Sequence, residues 1–219
     1  MLESRVSFRP ISLTGIPAIG LIHEYASYTK PTAGVVTALK NSDLWIFSSA
    51  LTRQDSESVI GPLVMEKSSV IPQGQVRTAY EINAKQKVDK ALFRSSSDDD
   101  TDVVRILGAG YVQYRKGVDL FIECARQLVV QAPDIQFEFV WLGDGFRPET
   151  DMGYSVYLQD QIQRAGLSGK LKILDAREDF LEVLTEANVF LLTSRLDPLP
   201  NVVIDALCEG IPTLTFDKA

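Results

Sequence analysis

The sequence has few of the residues that cross-link small proteins or bind metals. Its 219 residues include two cysteines and one histidine. Cys124 and Cys208 both fall within predicted helices, where a free cysteine behaves as a small core residue, so we expect no disulfide between them. The acidic cluster Asp98–Asp100 lies in a serine-rich segment without a histidine, whereas metal ligands converge from ordered elements. We therefore expect no metal site, and a reducing, cytoplasmic setting.

Long apolar runs and an excess of basic residues are missing as well. No apolar run approaches the ~20 residues that a helix needs to cross a bilayer, and the first residues lack the apolar core of a signal peptide. The net charge is −7, with 11 basic and 11 acidic side chains in residues 1–100 but 11 and 18 in residues 101–219. The acidic second half argues against nucleic acid as a partner, because that polymer needs clustered lysine and arginine. A nucleotide needs only a local positive site.

The sequence does contain a regular alternation of short apolar strands and amphipathic helices. In the second half, strands are predicted at 103–107, 137–142, 171–174, 189–193 and 213–216, with helices at 117–131, 154–165, 179–186 and 201–209. Such alternation with short links is typical of an α/β fold with a doubly wound parallel sheet.

The first hundred residues show a shorter version of the same pattern. Strands are predicted at 18–23, 44–48 and 68–72, with helices at 32–40 and 49–58. Residues 79–93 follow as a predicted helix, and residues 95–102 form a polar, acidic stretch without apolar periodicity. We therefore divide the chain into a first domain at 1–76, a linker at 77–102 and a second domain at 103–219.

The most informative segment is residues 193–213. Asp197 and Asp205 stand eight residues apart, and between them lie a proline-containing turn and the start of a helix. We expect Asn201 to be the N-cap of that helix. A helix start directly after a strand offers backbone N–H groups and a positive dipole end to an anion, while carboxylates accept bonds from hydroxyl groups. A nucleotide-sugar carries both phosphates and hydroxyls.

Three segments together resemble the motifs of the retaining glycosyltransferase family 4, or glycosyl transferases group 1. The Asp197–Asp205 pair is similar to its E-x7-E motif, residues 106–121 to its G-x-G…(R)KG loop, and residues 140–145 to its W-x-G-D-G turn. The resemblance spans roughly residues 103–217. It implies a GT-B-like fold whose C-terminal, donor domain is Rossmann-like.

Two short pieces of the first half, around residues 21–24 and 70–74, resemble the end of that family's N-terminal, acceptor domain. The chain is therefore expected to be an internal fragment. It would hold the remnant of a Rossmann-like acceptor domain and a donor domain truncated at its C-terminal end.

The resemblance also assigns roles to individual residues. Lys116 would stabilise the negative charge on the departing phosphate, Asp197 would lie near the hydroxyls of the transferred sugar, and Asp205 would hold the ribose. The other implied site residues are His23 on the acceptor side and, around the donor phosphates and nucleotide, Gly108, Gly110, Arg115, Asn201 and Val202. The family usually has an arginine six residues before the lysine, where this chain has Gly110, so Arg115 is the candidate substitute.

The activity implied is transfer of a sugar from a nucleoside-diphosphate sugar to a glycan or lipid-linked acceptor, with retention and without a metal or other cofactor. Peripheral membrane contact of a full-length protein stays open. One alternative is a dinucleotide-binding dehydrogenase domain, since residues 108–113 nearly match G-x-G-x-x-G. In that reading Gln113 replaces the third glycine, and no acidic residue ends the next strand. The other alternative is a nucleotide-binding module without turnover.

Overall fold

The computed structural model describes residues 15–62, 66–74 and 103–217. The chain forms two compact units, Met1–Gly74 and Gln75–Ala219, and each is described by itself. The predicted linker at 77–102, with the predicted helix at 79–93 and the Asp98–Asp100 cluster, lies outside the described residues.

The first unit is a small parallel sheet with helical crossovers. Its described elements are β1 Ile19–Ile22, α1 Thr32–Lys40, β2 Leu44–Phe47, α2 Ala50–Ile60 and β3 Ser68–Val70. The strands lie in the order β1-β2-β3, and each pair is parallel. The buried side chains of Leu39, Trp45 and Phe47 form its core. The strands and helices predicted between residues 18 and 72 are therefore confirmed, within one or two residues at most ends.

The second unit is a doubly wound α/β sheet. Its described elements are β4 Val103–Ala109, a 3-10 turn Tyr114–Lys116, α3 Val118–Gln131, β5 Gln136–Leu142, α4 Ser155–Arg164, β6 Leu171–Leu174, α5 Phe180–Thr185, β7 Val189–Leu192, α6 Asn201–Cys208 and β8 Thr213–Thr215. The strands lie in the order β6-β5-β4-β7-β8, and every pair is parallel. The predicted parallel sheet is confirmed.

Alternating strand residues build a separate core on each face of this sheet. Leu107, Val140 and Phe190 pack on one face with the side chains of α5 and α6. Ile106 and Trp141 pack on the opposite face with those of α3 and α4. Successive strand residues point to opposite faces, so the largely apolar sequences of β4, β5 and β7 match strands that are covered on both sides.

The order of the strands places a switch point beside β4. The chain moves from β4 to β5 and β6 on one side, then crosses to β7 and β8 on the other. In open parallel sheets, ligands bind outside the carboxyl ends of the strands at such a point. The loops after β4 and β7 therefore flank the place where a ligand is expected.

Two sequence-based expectations are wrong in detail. Cys208 is exposed at the last residue of α6, so it is not a core residue, whereas Cys124 is partly buried in α3; both are free. The N-cap of α6 is Pro200, without a side-chain cap, and Asn201 is the first helical residue. Because proline and asparagine both favour helix starts, the sequence alone placed the N-cap one residue too late. No helix among the described residues is long and apolar enough to span a membrane.

Candidate functional site

The loop after β4 carries a lysine to the carboxyl edge of the sheet. Gly110 leaves the strand at φ 143°, a conformation that L side chains rarely adopt. The 3-10 turn Tyr114–Lys116 follows, and Gly117, at φ 69° and ψ 38°, joins it to α3. Lys116 thus ends a short turn immediately before a helix.

Lys116 and Asp197 meet across the switch point. The Lys116 ammonium donates a hydrogen bond to Asp197 Oδ2, and their side chains are only 15% and 8% exposed. Ser194 Oγ donates to the same oxygen at 3.2 Å. Arg115 Nη1 lies 4.0 Å from Asp197 Oδ1 and donates to the Leu196 carbonyl at 2.9 Å. The structure therefore brings together three of the residues named from the sequence, Arg115, Lys116 and Asp197.

Gly110 supports the lysine side chain. A Cβ built on Gly110 would lie 3.2 Å from Lys116 Cδ and 3.4 Å from Cε, closer than most real contacts. The aliphatic part of Lys116 therefore lies against the glycine backbone. This packing, with the positive φ, gives a physical reason why the position that the family usually fills with arginine is glycine here.

The W-x-G-D-G turn after β5 fixes the loop after β4 from the other side. A Cβ on Gly143 would lie 1.9 Å from the Gly110 carbonyl oxygen, so the two backbones touch. That oxygen accepts from Trp141 Nε1 at 2.9 Å, and the Val112 N–H donates to the Asp144 carbonyl at 2.8 Å. The two Gly-rich segments are therefore packed and hydrogen-bonded to each other at this edge.

Gly108 lies inside β4, where it makes room for aromatic rings. It is buried, and a Cβ there would lie 2.6 Å from Trp141 Cε3 and 2.9 Å from Phe121 Cε2. Its surroundings show why a side chain does not fit. The nucleotide-binding role assigned to it from the sequence stays a prediction.

The start of α6 stands on the same edge, directly after the loop that holds Asp197. Asn201 and Val202 are its first two residues, so the backbone N–H groups and the positive dipole end face the carboxyl edge of the sheet. Asp205, in the second turn, is 5% exposed. Its carboxylate therefore does not face solvent, which was the structural alternative to a role in binding.

His23 belongs to the first unit. It directly follows β1 and is exposed. The strand end is where the sequence placed it. The acceptor-side role that the resemblance implies for His23 stays a prediction.

A network that the motifs did not indicate joins the two loops at the switch point. The Arg195 guanidinium donates to Asp119 Oδ1 at 2.9 Å and Oδ2 at 2.6 Å, and it stacks over the Tyr114 ring at 3.8 Å. The Tyr154 hydroxyl donates to Asp119 Oδ1 at 2.8 Å. The sequence signals that could have indicated this network are an acidic residue in the first turn of α3 and an arginine two residues before Asp197.

The network fixes the charge of its carboxylate. Burial by itself would raise the pKa of Asp119, but hydrogen bonds from Arg195 and Tyr154 outweigh it, and the pKa lies below its ordinary value. Burial, followed by the bond to the carboxylate, raises the pKa of Tyr154. At neutral pH the phenol is therefore a donor and Asp119 is ionised.

A family model confirms what the motifs indicated. Residues 102–219, more than half of the chain, match the family described as Glycosyl transferases group 1. The match includes Lys116, Asp197 and Asp205. It decides against a dehydrogenase-type domain, to which residues 108–113 had only a partial likeness.

Two curated relatives match about half of the chain. A lipopolysaccharide core biosynthesis glycosyltransferase, LpsE, of Rhizobium meliloti is 25% identical over 126 residues, which cover 57% of this chain and 33% of that protein. A mannosylfructose-phosphate synthase of Agrobacterium fabrum is 26% identical over 111 residues, covering 50% and 24%. This chain therefore spans about a third or less of these relatives.

Solved structures show the same fold. Anabaena HepE, in a complex with UDP and glucose, superimposes with a TM-score of 0.75 at 18% identity, over 98% of this chain and 57% of that one. WaaG, a glycosyltransferase involved in lipopolysaccharide biosynthesis, gives 0.67 at 15% identity, over 93% and 58%. These likenesses establish a GT-B glycosyltransferase fold for the chain.

Proposed function

The chain belongs to the glycosyl transferases group 1, and from that premise we propose that its second unit binds the nucleoside-diphosphate sugar of a hexosyltransferase. The observation that carries the proposal is the contact of Lys116 with Asp197 across the switch point, beside the start of α6. A cation for phosphate, a carboxylate for hydroxyls and a helix start stand at the edge where parallel sheets bind nucleotides.

The reaction breaks the bond between the sugar and the diphosphate, and negative charge develops on the departing phosphate. Fixed positive groups stabilise such charge without reorganising during the reaction. Lys116 is the main one, with Arg115 and the N–H groups at Asn201 and Val202 beside it. We propose that these groups act in place of a metal and that the sugar is transferred with retention.

The carboxylates hold hydroxyl groups in this proposal. Asp197 binds the transferred sugar and must release part of its contact with Lys116 when the diphosphate enters. Asp205 reaches the ribose from inside α6, with Gly108 and Gly110 shaping the loop that the phosphates face.

His23 lies on the acceptor side in this proposal. UDP in the HepE complex and the name of the Rhizobium relative favour a uridine nucleotide and a glycan or lipid-linked acceptor.

The test is nucleotide binding by the 219-residue chain. UDP, GDP and ADP are titrated in turn, and the rise in melting temperature and the Kd are measured, because a ligand bound only by the folded state stabilises it. We expect one of the three to bind, equally well with EDTA or Mg²⁺. Lys116→Ala should weaken that binding about tenfold or more, which is about 1.4 kcal/mol.

The matched control is Lys170→Ala, since Lys170 is exposed and directly precedes β6, at the opposite edge of the sheet. Its Kd should equal that of the unaltered chain. No binding of any nucleotide, or equal losses in the two variants, would contradict the proposal. Loss of binding with EDTA would refute the metal-free part alone.

Turnover is tested separately, on the chain and on any longer protein that contains it. Release of the sugar from the matching donor is followed, and the anomeric configuration of the product is read by NMR. We expect retention. A longer protein that binds the nucleotide but neither hydrolyses nor transfers the sugar would support the alternative of a nucleotide-binding module.

A further inference from the structure

We propose that Arg195 and Asp119 are positioning residues, whose ion pair holds the turn that carries Lys116 in the place where its ammonium meets the donor diphosphate. The inference rests on the proposed function of Lys116. Arg195 is not one of the acidic pair, and Asp119 follows the glycines and Lys116 of the loop segment at 106–121. Arg195 follows β7 and Asp119 begins α3, so the pair ties together the two loops at the switch point.

Arg195 holds the lysine turn by side chain and backbone at once. Its Nη1 donates to the Tyr114 carbonyl at 2.7 Å, and its own N–H donates to the Arg115 carbonyl at 2.8 Å. The guanidinium also covers the Tyr114 ring. Two of the three residues of the 3-10 turn Tyr114–Lys116 are therefore bonded to Arg195, and the third is Lys116.

Asp119 is held in turn from α4. The Tyr154 hydroxyl donates to its carboxylate, and Gln161 Nε2 donates to its carbonyl oxygen at 3.0 Å. The side chain of Asp119 is 27% exposed and that of Arg195 25%. Because the pair is partly buried, salt screens its charges less than those of a surface pair. Because it is bidentate, its two hydrogen bonds also fix the relative orientation of the two side chains. The lysine turn is thus fixed to a packed helix and not only to its neighbouring loop.

The arrangement indicates an indirect role. The guanidinium is bonded to Asp119 and Tyr114, so it serves as a brace. Lys116 has a long, flexible side chain, and the reach of its ammonium depends on where the backbone turn places it. A positive group that is already held in place loses less conformational freedom when it binds its target. Loss of the brace should therefore weaken phosphate binding through Lys116.

The experiment is a double-mutant cycle on nucleotide binding. Arg195→Ala is made in the unaltered chain and in the Lys116→Ala variant, and the Kd is measured for whichever of UDP, GDP and ADP binds best. We expect Arg195→Ala to weaken binding about fivefold or more where Lys116 is present and less than about twofold where it is absent, since residues that act through one another are not additive. Asp119→Asn should behave in the same way.

The matched control is Arg126→Ala. Arg126 forms an equally bidentate pair with Glu123, at 2.7 and 2.9 Å. Both residues lie in α3, so this pair does not join two loops. Arg195→Lys, which keeps the charge and loses the fork, serves if Arg195→Ala does not fold, and the same pattern is expected at smaller size. Circular dichroism checks folding of each variant.

The outcomes separate the two proposals. If the unaltered chain binds none of the nucleotides, the proposed function fails and this inference fails with it. If it binds but Arg195 variants leave the Kd within about twofold, or weaken it equally with and without Lys116, only the positioning role is overturned, because independent sites add. Equal loss in Arg126→Ala would also overturn it.

Discussion

At the scale of single residues, backbone contacts decide where the charged groups lie. Gly117 illustrates this, because it joins the lysine turn to α3 in the left-handed region and leaves no room for a side chain. A Cβ there would lie 1.9 Å from the Thr193 carbonyl oxygen. Thr193 Oγ1 donates to the Gly117 carbonyl at 2.8 Å. The loops after β4 and β7 therefore touch through a glycine.

Gly117→Ala should destabilise the folded chain more than an ordinary glycine-to-alanine substitution does. The new methyl group meets a backbone atom that cannot move alone, so we expect a loss of about 3 kcal/mol or more in the free energy of unfolding, the size typical of severe steric change. Urea denaturation measures it.

Gly166→Ala is the control. Gly166 has a nearly identical φ, 68°, but nothing lies within 4 Å of an added Cβ. It should therefore cost only the penalty of the left-handed conformation, about 1–2 kcal/mol. Equal losses at the two positions would show that the Thr193 contact does not matter.

At the scale of elements, the start of α4 depends on a carboxylate that its apolar pattern did not indicate. Asp151 Oδ2 accepts from the Ser155 N–H at 2.8 Å and the Ser155 hydroxyl at 2.7 Å, and Oδ1 accepts from the Gly153 N–H at 2.9 Å. These bonds, led by that of the Ser155 hydroxyl, lower the pKa of Asp151 to about 2. The carboxylate thus organises the turn before the helix.

This pKa predicts a dependence of stability on pH. A folded-state pKa below the unfolded value of 3.8 means that the stabilisation is present above about pH 4 and is lost as the pH falls towards 2. Asp151→Asn should lower stability at neutral pH and flatten the change between pH 4 and 2. Thermal melts across that range measure it. Met152→Ala, an exposed neighbour without a carboxylate, should keep the original slope, and an unchanged slope in Asp151→Asn would contradict the assignment.

The elements themselves could be predicted because their periodicity is strong. Largely apolar short segments predicted β4, β5 and β7, and spaced apolar positions predicted α3 within one residue of its observed start. The two loops of the site could also be named, since glycines and charged residues mark them. The partners within the loops could not. The pairing of Arg195 with Asp119 joins residues 76 apart, and only the strand order, with β7 beside β4, brings them together.

At the scale of the whole molecule, each unit has its own sheet and its own core. The first is built on Leu39, Trp45 and Phe47, and the second on two clusters, one on each face of its five-stranded sheet. The family match begins at residue 102. All the groups that we assign to the donor, from Gly108 to Asp205, lie within the second unit.

This division leads to a last prediction, that residues 103–219 alone fold and bind the nucleotide. A unit with its own core on each sheet face can fold by itself, and the donor groups need nothing from residues 1–74 in our proposal. We expect a cooperative thermal transition and a Kd within about twofold of that of the 219-residue chain, because every donor group in our proposal lies within residues 103–219. Lys116→Ala in the short form is the control and should lose binding as it does in the chain. A folded short form that binds more than about tenfold more weakly, which is about 1.4 kcal/mol, would place part of the donor site outside residues 103–219. A short form without a cooperative transition would instead show that residues 103–219 depend on the rest of the chain for their fold.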